Sequence, residues 1–383
     1  MADARRAWLK RIAALAAAPA DDPAGFERAF SSVKTGQWRR ILEDAREHFL
    51  LPLILKNLRK AGLLGAVPSE TRSRAEEEAA GMIACTSFLY RLGEGLIAAA
   101  ADAGVTLVPV KGMHLIPLYY EPDERPMRDV DFLIRESDAG RVKELMESRG
   151  LRLETGRFSA AFMTRFMGEM EFSSADAAFP AMVEAQWDIA APPYLKRGYG
   201  FDAGWVMDSA ARGGRLTAEA AVVYAVFHLG AAHSFSRLMW LMDVHRLAVR
   251  GVGWDEVVDA AGRFGMRALA ACALGFCEEF FGAPVPQEVY RGLGRRPSRL
   301  TERAVVECLM HRRGLAESRL VPFLLSGKKT AFLRAFVFPG AGFAALRYSA
   351  PPWKAFLLSL SRPFLLAARL AGFMKRGNRR GGA

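Results

Sequence analysis

The chain has 383 residues, 51% of them apolar and 25% charged, with a formal net charge of +12. That is the balance of an ordinary globular protein, long enough for two or three domains. It excludes a membrane-spanning helix, since no uncharged apolar run approaches about 18 residues, and a disulfide framework, since Cys85, Cys272, Cys277 and Cys308 are scattered without a Cys-x-x-Cys pair and read as reduced core residues.

The opening "MADARRAWLKRIAALAAAPADDPAG" mimics a secretory signal, but its apolar part is mostly alanine and is broken by Pro19, so an amphipathic helix and a cytoplasmic protein are expected. In "QWRRILEDAREHFLLPLILKNLRKAG" the residues Ile41, Ala45, Phe49, Leu51, Leu53, Ile54 and Leu58 keep close to a helical period, and Gly62 is a stop signal. After "VPSE", with Ser69 as cap, a long helix is expected to about Ala103, which makes 1–104 a helical region.

The texture then changes. "VTLVPVKG" (Val105–Gly112) reads as a strand and turn, "MHLIPLYY" as a short helix and "RDVDFLI" as a second strand. Ser137–Gly150 reads as a Ser-capped helix, "LRLETG" and "EMEFSS" as a hairpin, and Ala181–Ala190 as a further strand. Residues 105–215 therefore form an α/β unit. From Thr217 the pattern is helical again, through 216–317, and "GWDEVVDAAGRFGM" repeats with Trp254, Val257 and Ala261 the spacing of Trp38, Ile41 and Ala45.

Ser318–Ala383 holds twelve Lys or Arg and no Asp or Glu, with Pro322, Pro339, Pro351, Pro352 and Pro363 between apolar helical pieces. The remainder, with 41 basic and 41 acidic residues, is neutral. So one-sided a segment points to a polyanion, whether RNA, a nucleotide-linked substrate or an anionic membrane surface. The last residues, "RGNRRGGA", are expected to be disordered.

"RPMRDVDFLI" carries the chemistry. Residues two apart on a strand share a face, so Asp129 and Asp131 stand side by side while Val130, Phe132 and Ile134 face the core. Paired carboxylates repel and resist burial. A divalent cation is the expected compensation, since Mg²⁺ takes oxygen ligands from one or two carboxylates plus substrate phosphates. Without it the pair should be a destabilising element, which Asp131→Asn would relieve. Glu184, or Asp188 at even spacing on the same strand, is the candidate third carboxylate. Lys111 and Gly112 sit at a strand-to-helix turn where backbone N–H groups can approach a phosphate, and Lys111, Arg125 and Arg128 supply positive charge. A lone Asp-x-Asp is usually a surface turn or an ion pair; the order of strand, glycine turn, acidic strand and later acidic strand is what raises it to a site. In the helical region, His228, His233, Arg237, Trp240, Asp243 and His245 cluster as structural or substrate-contact residues, with Asp243 expected to pair with an arginine or cap a helix.

"VPVKGMHLIPLYYEPDERPMRDVDFLI" resembles the uncharacterised nucleotidyltransferase family of the DNA polymerase β superfamily, in which an "lKG" turn precedes "R-p-m-g-D-i-D-l-L". Lys111, Gly112, Arg125, Pro126, Met127, Asp129 and Asp131 fall in place. "VEAQWDI" resembles the family's "vElHw" strand and "RLMWLMDVHRL" its "rL.wLlDi..l" helix, and the likeness extends to about residue 290. The resemblance implies an α+β fold: a polymerase β-like nucleotidyltransferase core, a small mixed sheet with helices, flanked by N-terminal and C-terminal helical regions. It also implies transfer of a nucleoside monophosphate from an NTP to an acceptor hydroxyl or phosphate, with release of pyrophosphate. Asp129 and Asp131 would hold two Mg²⁺ ions, and Glu184 would support one and help deprotonate the acceptor. Two departures stand out. Lys111-Gly112 replaces the Gly-Ser of the wider superfamily, and Gln186 stands where the family often has His. The acceptor, whether small molecule, peptide, polysaccharide or RNA, is unmarked. A non-catalytic module held on RNA or an anionic membrane by its C-terminal segment is the alternative.

Overall fold

The computed structural model describes residues 2–17, 22–154, 159–174, 180–210, 214–294, 296–311, 317–351 and 353–364; the final "RGNRRGGA" lies outside them. Helices dominate. Five short strands, β1 (Val108–Pro109), β2 (Val130–Leu133), β3 (Leu151–Leu153), β4 (Glu169–Ser174) and β5 (Met182–Gln186), form one mixed sheet in the order β1-β2-β5-β4-β3. Among the described residues only β2 and β5 run parallel. The fold is α+β.

The strands are shorter than the sequence suggests. β1 keeps two residues of Val105–Gly112, and Asp129 lies just before β2. β3 and β4 pair antiparallel as expected, but a helical insertion at Ala160–Met167 separates them. The Ser caps are absent: Ser69 is the first residue of the helix Ser69–Asp102, and the helix Ala139–Ser148 follows Asp138 with no side-chain cap.

Alternation decides the two faces of the sheet. Val130, Phe132, Val183, Ala185, Met170 and Phe172 pack with Leu89 and Leu96 of the long helix and with Val142 and Met146. The opposite face carries Asp131, Glu184 and Glu171 in one cross-strand row and Gln186 and Glu169 in the next. One face is core and the other is acidic.

The first helix, Ala2–Ala16, buries Leu9, Ile12, Ala13, Leu15 and Ala16, as its amphipathic pattern predicts. It reaches across the chain, with Arg5 paired to Glu307 and Arg6 to Glu279 and Glu302. The second stretch is not one helix but two, Trp38–Glu47 and Leu51–Lys60, joined at Phe49. The Trp254 stretch folds the same way, into Trp254–Arg263 and Arg267–Phe281 joined at Gly265. The turns match bond for bond: Leu50 N–H donates to Ala45 O at 2.8 Å, and Met266 N–H donates to Ala261 O at 2.7 Å. In both, the joining residue is left-handed, φ 61° at Phe49 and φ 67° at Gly265. Glycine adopts that conformation freely, whereas phenylalanine there is strained by about 1 kcal/mol or more.

The basic C-terminal segment is not a detached tail. The helix Lys329–Val337 packs on the helix Pro193–Gly198, where Phe332 occupies the space a side chain at Gly198 would need. Tyr199 donates to Pro322 O at 2.6 Å and Ser326 to Gly198 O at 2.7 Å. The four cysteines are free, with Cys272, Cys277 and Cys308 buried. Among the described residues no helix is long and apolar enough to cross a membrane.

Candidate active site

Register brings the acids together. Asp131 on β2 lies opposite Glu184 on β5, and Asp129 enters from the preceding loop. One carboxylate oxygen from each of the three lies within 4.8 Å of the others. They stand in the wall of a cavity of about 440 Å³. Asp188, the alternative third acid, instead accepts from Ala190 N–H at 3.0 Å and pairs with Lys196 at 2.8 Å, closing the turn after β5.

A cation is already built in. Lys111 Nζ donates to Asp131 Oδ1 at 2.6 Å and lies 3.5 Å from Glu184 Oε2. The residue opens its helix in a left-handed conformation (φ 49°), the kind of backbone strain that gathers at functional sites. The expected Asp-pair instability without metal is therefore changed: an ammonium compensates Asp131. Compensation is incomplete. Burial pushes the Asp131 and Asp129 carboxyls up against the pull of Lys111, and neighbouring carboxylates push the same way. For Glu184 burial is outweighed by Lys111 and by hydrogen bonding, which hold it below its ordinary range and ionised.

Second contacts fix these groups. Gln186 Nε2 donates to Glu184 Oε2 at 2.7 Å, and Tyr224 OH donates to Gln186 Oε1 at 3.3 Å. Gln186, at the position of the family's His, thus orients Glu184. Glu169, beside Gln186 on β4, is pushed up to about 8 by burial and by Glu184. It lines the same cavity. Nothing in the sequence alone marks it, because only the β4–β5 register puts it there.

Arg125 is buried, and its Nε and Nη2 each donate to Asp243 at 2.8 Å. The expected Asp243–Arg pairing is present, with Arg125 as the partner. Gly112 is buried beside them. A Cβ there would lie 2.6 Å from Arg125 Nη1 and from Met127 Cγ, so the missing side chain makes room for the loop that leads to Asp129. Arg128 reaches the cavity over the ring of Phe49 at 4.6 Å, and Arg237 lies 4.0 Å from the same ring. Phe49 thus holds two guanidinium groups at the cavity, where its helical twin has glycine. Arg319, from the C-terminal segment, also lines the cavity, 4.9 Å from the ring of Tyr194.

His228 and His233 are five residues apart, a poor spacing for one α-helical face. The helix widens into a π turn at His228–Ala232, and the two rings meet at 4.4 Å, with Trp240 within 4.9 Å of both. Such π turns recur at functional sites. His245 lies apart, against Phe281 at 5.7 Å.

Behind Lys111, His114 is 1% exposed and neither ring nitrogen has a hydrogen-bond partner in the structure. Burial, then Arg215, lowers it to about 4. Buried His228 is held well below its ordinary value, also chiefly by burial. A histidine lowered in the folded state binds its proton first in the unfolded chain, so its contribution to stability is complete above about pH 6.5 and falls as pH falls. Urea melts between pH 7 and 4 are expected to show a loss of roughly 2–3 kcal/mol from His114 alone, which His114→Leu removes. Melts of equal pH dependence in both proteins would refute the assignment.

Residues 34–282 match the family model described as uncharacterised nucleotidyltransferase. The chain belongs to that family. No curated protein and no solved structure matches it.

Proposed function

We propose that the chain is a divalent-metal-dependent nucleotidyltransferase that moves a nucleoside monophosphate from an NTP to an acceptor hydroxyl or phosphate. The observation that carries this reading is the convergence of Asp129, Asp131 and Glu184 in a cavity whose wall also presents Arg128, Arg237 and Arg319. Three hard oxygen donors with incompletely compensated charge suit Mg²⁺. When bound, two such ions would neutralise the triphosphate and clamp an in-line displacement. Around them the protein supplies position. The three arginines offer charge-assisted hydrogen bonds to phosphate oxygens. Glu184, ionised and oriented by Gln186, accepts the acceptor's proton. The acceptor oxygen bonds to the α-phosphorus, the bond to the β-phosphate oxygen breaks, and pyrophosphate leaves. The parallel β2–β5 pair with its acid row supports a polymerase β-like core, and a reaction that consumes NTPs suits a cytoplasmic setting.

One observation favours a second reading. Lys111 already pairs with Asp131, as it would in a fold retained for binding without catalysis. Calorimetric titration of each NTP with and without Mg²⁺, into the wild type and an Asp129→Asn/Asp131→Asn variant, separates the two. Binding is expected only with Mg²⁺, and to vanish in the variant. Binding indifferent to both would sink the catalytic reading and leave the module.

A further inference from the structure

Residues 353–364 form a helix whose apolar stripe faces water. Trp353, Phe356, Leu357, Leu360 and Phe364 are each more than half exposed, and their spacing places them on one helical face. The inward side holds the helix to the body: Ala355 is fully buried, Leu358 is half-buried, and Arg362 Nε donates to Phe336 O at 3.1 Å. A helix of a globular domain normally turns such a stripe to the core. Here the helix is attached by its other side, so the stripe is left over for something else. Phe338 and Tyr348 nearby are also more than half exposed. Among the described residues, every other large exposed hydrophobic outside 318–364 is one of three scattered side chains, Leu118, Val249 and Leu300.

We infer that this face docks on an anionic lipid bilayer, with the helix lying in the headgroup plane. Charge selects the occupant. The same segment, Ser318–Ala383, holds twelve basic and no acidic residues, the whole of the chain's excess. A second copy of the chain would set that charge against itself. An anionic bilayer meets both features at once, accepting the apolar stripe at the acyl boundary and drawing the basic segment by its surface potential. Lys354, exposed beside Trp353, can keep its ammonium at the headgroups while its stem lies on the apolar face. No described helix can span, so the contact is interfacial. The inference is independent of the transfer reaction.

The test is co-sedimentation of the full chain with vesicles of phosphatidylcholine, alone or mixed with phosphatidylglycerol. The comparison protein is Phe356→Ser/Leu360→Ser/Phe364→Ser, whose altered side chains already stand in water, so its melting is expected to match the wild type. Pelleting is expected with the anionic vesicles only. It should weaken at least about tenfold at high salt and at least about tenfold in the triple variant. Three results would overturn the inference. They are no pelleting of the wild type by either vesicle, equal pelleting of the triple variant, and a wild-type dimer that the triple substitution dissociates without lipid. Salt-sensitive RNA binding that survives the triple substitution, without vesicle binding, would assign the segment to RNA instead.

Discussion

Asp129→Asn and Asp131→Asn are expected to abolish nucleotidyl transfer alike and yet to move the stability of the metal-free protein in opposite directions. Each removes one of the three converging carboxylates, and a loss of at least about 10³-fold in turnover follows if they hold the metals. Their surroundings differ. Asp131 is 2% exposed and accepts from Lys111 at 2.6 Å. Neutralising it leaves the ammonium with Glu184, at 3.5 Å, as its remaining direct ion pair among the described residues. Breaking a buried pair from one side costs about 3 kcal/mol. Asp129 has no direct ion pair among the described residues, and burial together with Glu184 disfavours its ionised form despite Lys111. A carboxyl raised in the folded state costs stability at pH values where it is ionised, so Asp129→Asn should gain up to about 1 kcal/mol at pH 7. Burial raises Asp131 too, but its loss also strands Lys111, whose proton Asp131 holds more strongly than any other charged neighbour, and the stranded ammonium outweighs the gain. That gain disappears at acid pH, where the wild-type carboxyl is protonated too. Urea melts in EDTA at pH 7 measure both. Shifts of the same sign would mean that Lys111 does not distinguish the two aspartates.

The contrast shows what was legible in the sequence. Period-two spacing set Asp129 beside Asp131 on one strand face, with Glu184 to join them if its strand lay alongside; the strand begins only at Val130, and Asp131 does lie in register with Glu184. Asp129 converges with them although it precedes the strand, because the loop is tied down on its other side by Met127 N–H, which donates to Thr86 at 2.8 Å. Lys111 was visible as a residue but not as the counter-ion of Asp131, since its left-handed backbone is set by the packing of β1 against β2. Phe49, Glu169 and the His228–His233 contact were hidden for related reasons. Each depends on a turn type or a strand register, features that hydrophobic periodicity does not encode. The C-terminal segment was legible in charge and illegible in placement. Its prolines read as breaks, yet Pro322 lies inside the helix Glu317–Leu325, which carries Arg319 to the cavity, and the helix Lys329–Val337 beyond it packs into the body.

The largest loss of stability is expected from Asp243→Ala. Asp243 accepts two bonds from Arg125 and one from Tyr120 OH, each at 2.8 Å, and all three side chains are buried. Truncation leaves a guanidinium buried without its carboxylate, which costs about 3–5 kcal/mol. Arg125→Lys should also fail to keep the stability, because a point charge cannot bridge both oxygens as the planar fork does. The pair can nevertheless be given up together: Arg125→Met/Asp243→Leu should recover most of the loss, since no unpaired charge remains. Function should not recover with it. Arg125 begins the loop that ends at Asp129, and its guanidinium lies against Gly112, so the pair ties the acidic loop to the helix Leu238–Val249. With that tie gone the carboxylates lose their preorganisation, and Mg²⁺-dependent NTP affinity should fall about tenfold even in the stable double variant. Unfolding curves and NTP titrations on the same four proteins decide it. If Asp243→Ala costs less than about 1 kcal/mol, the pair is sufficiently solvated to count as a surface bridge, and the acidic loop must be held by Thr86 and the core contacts of Met127 alone.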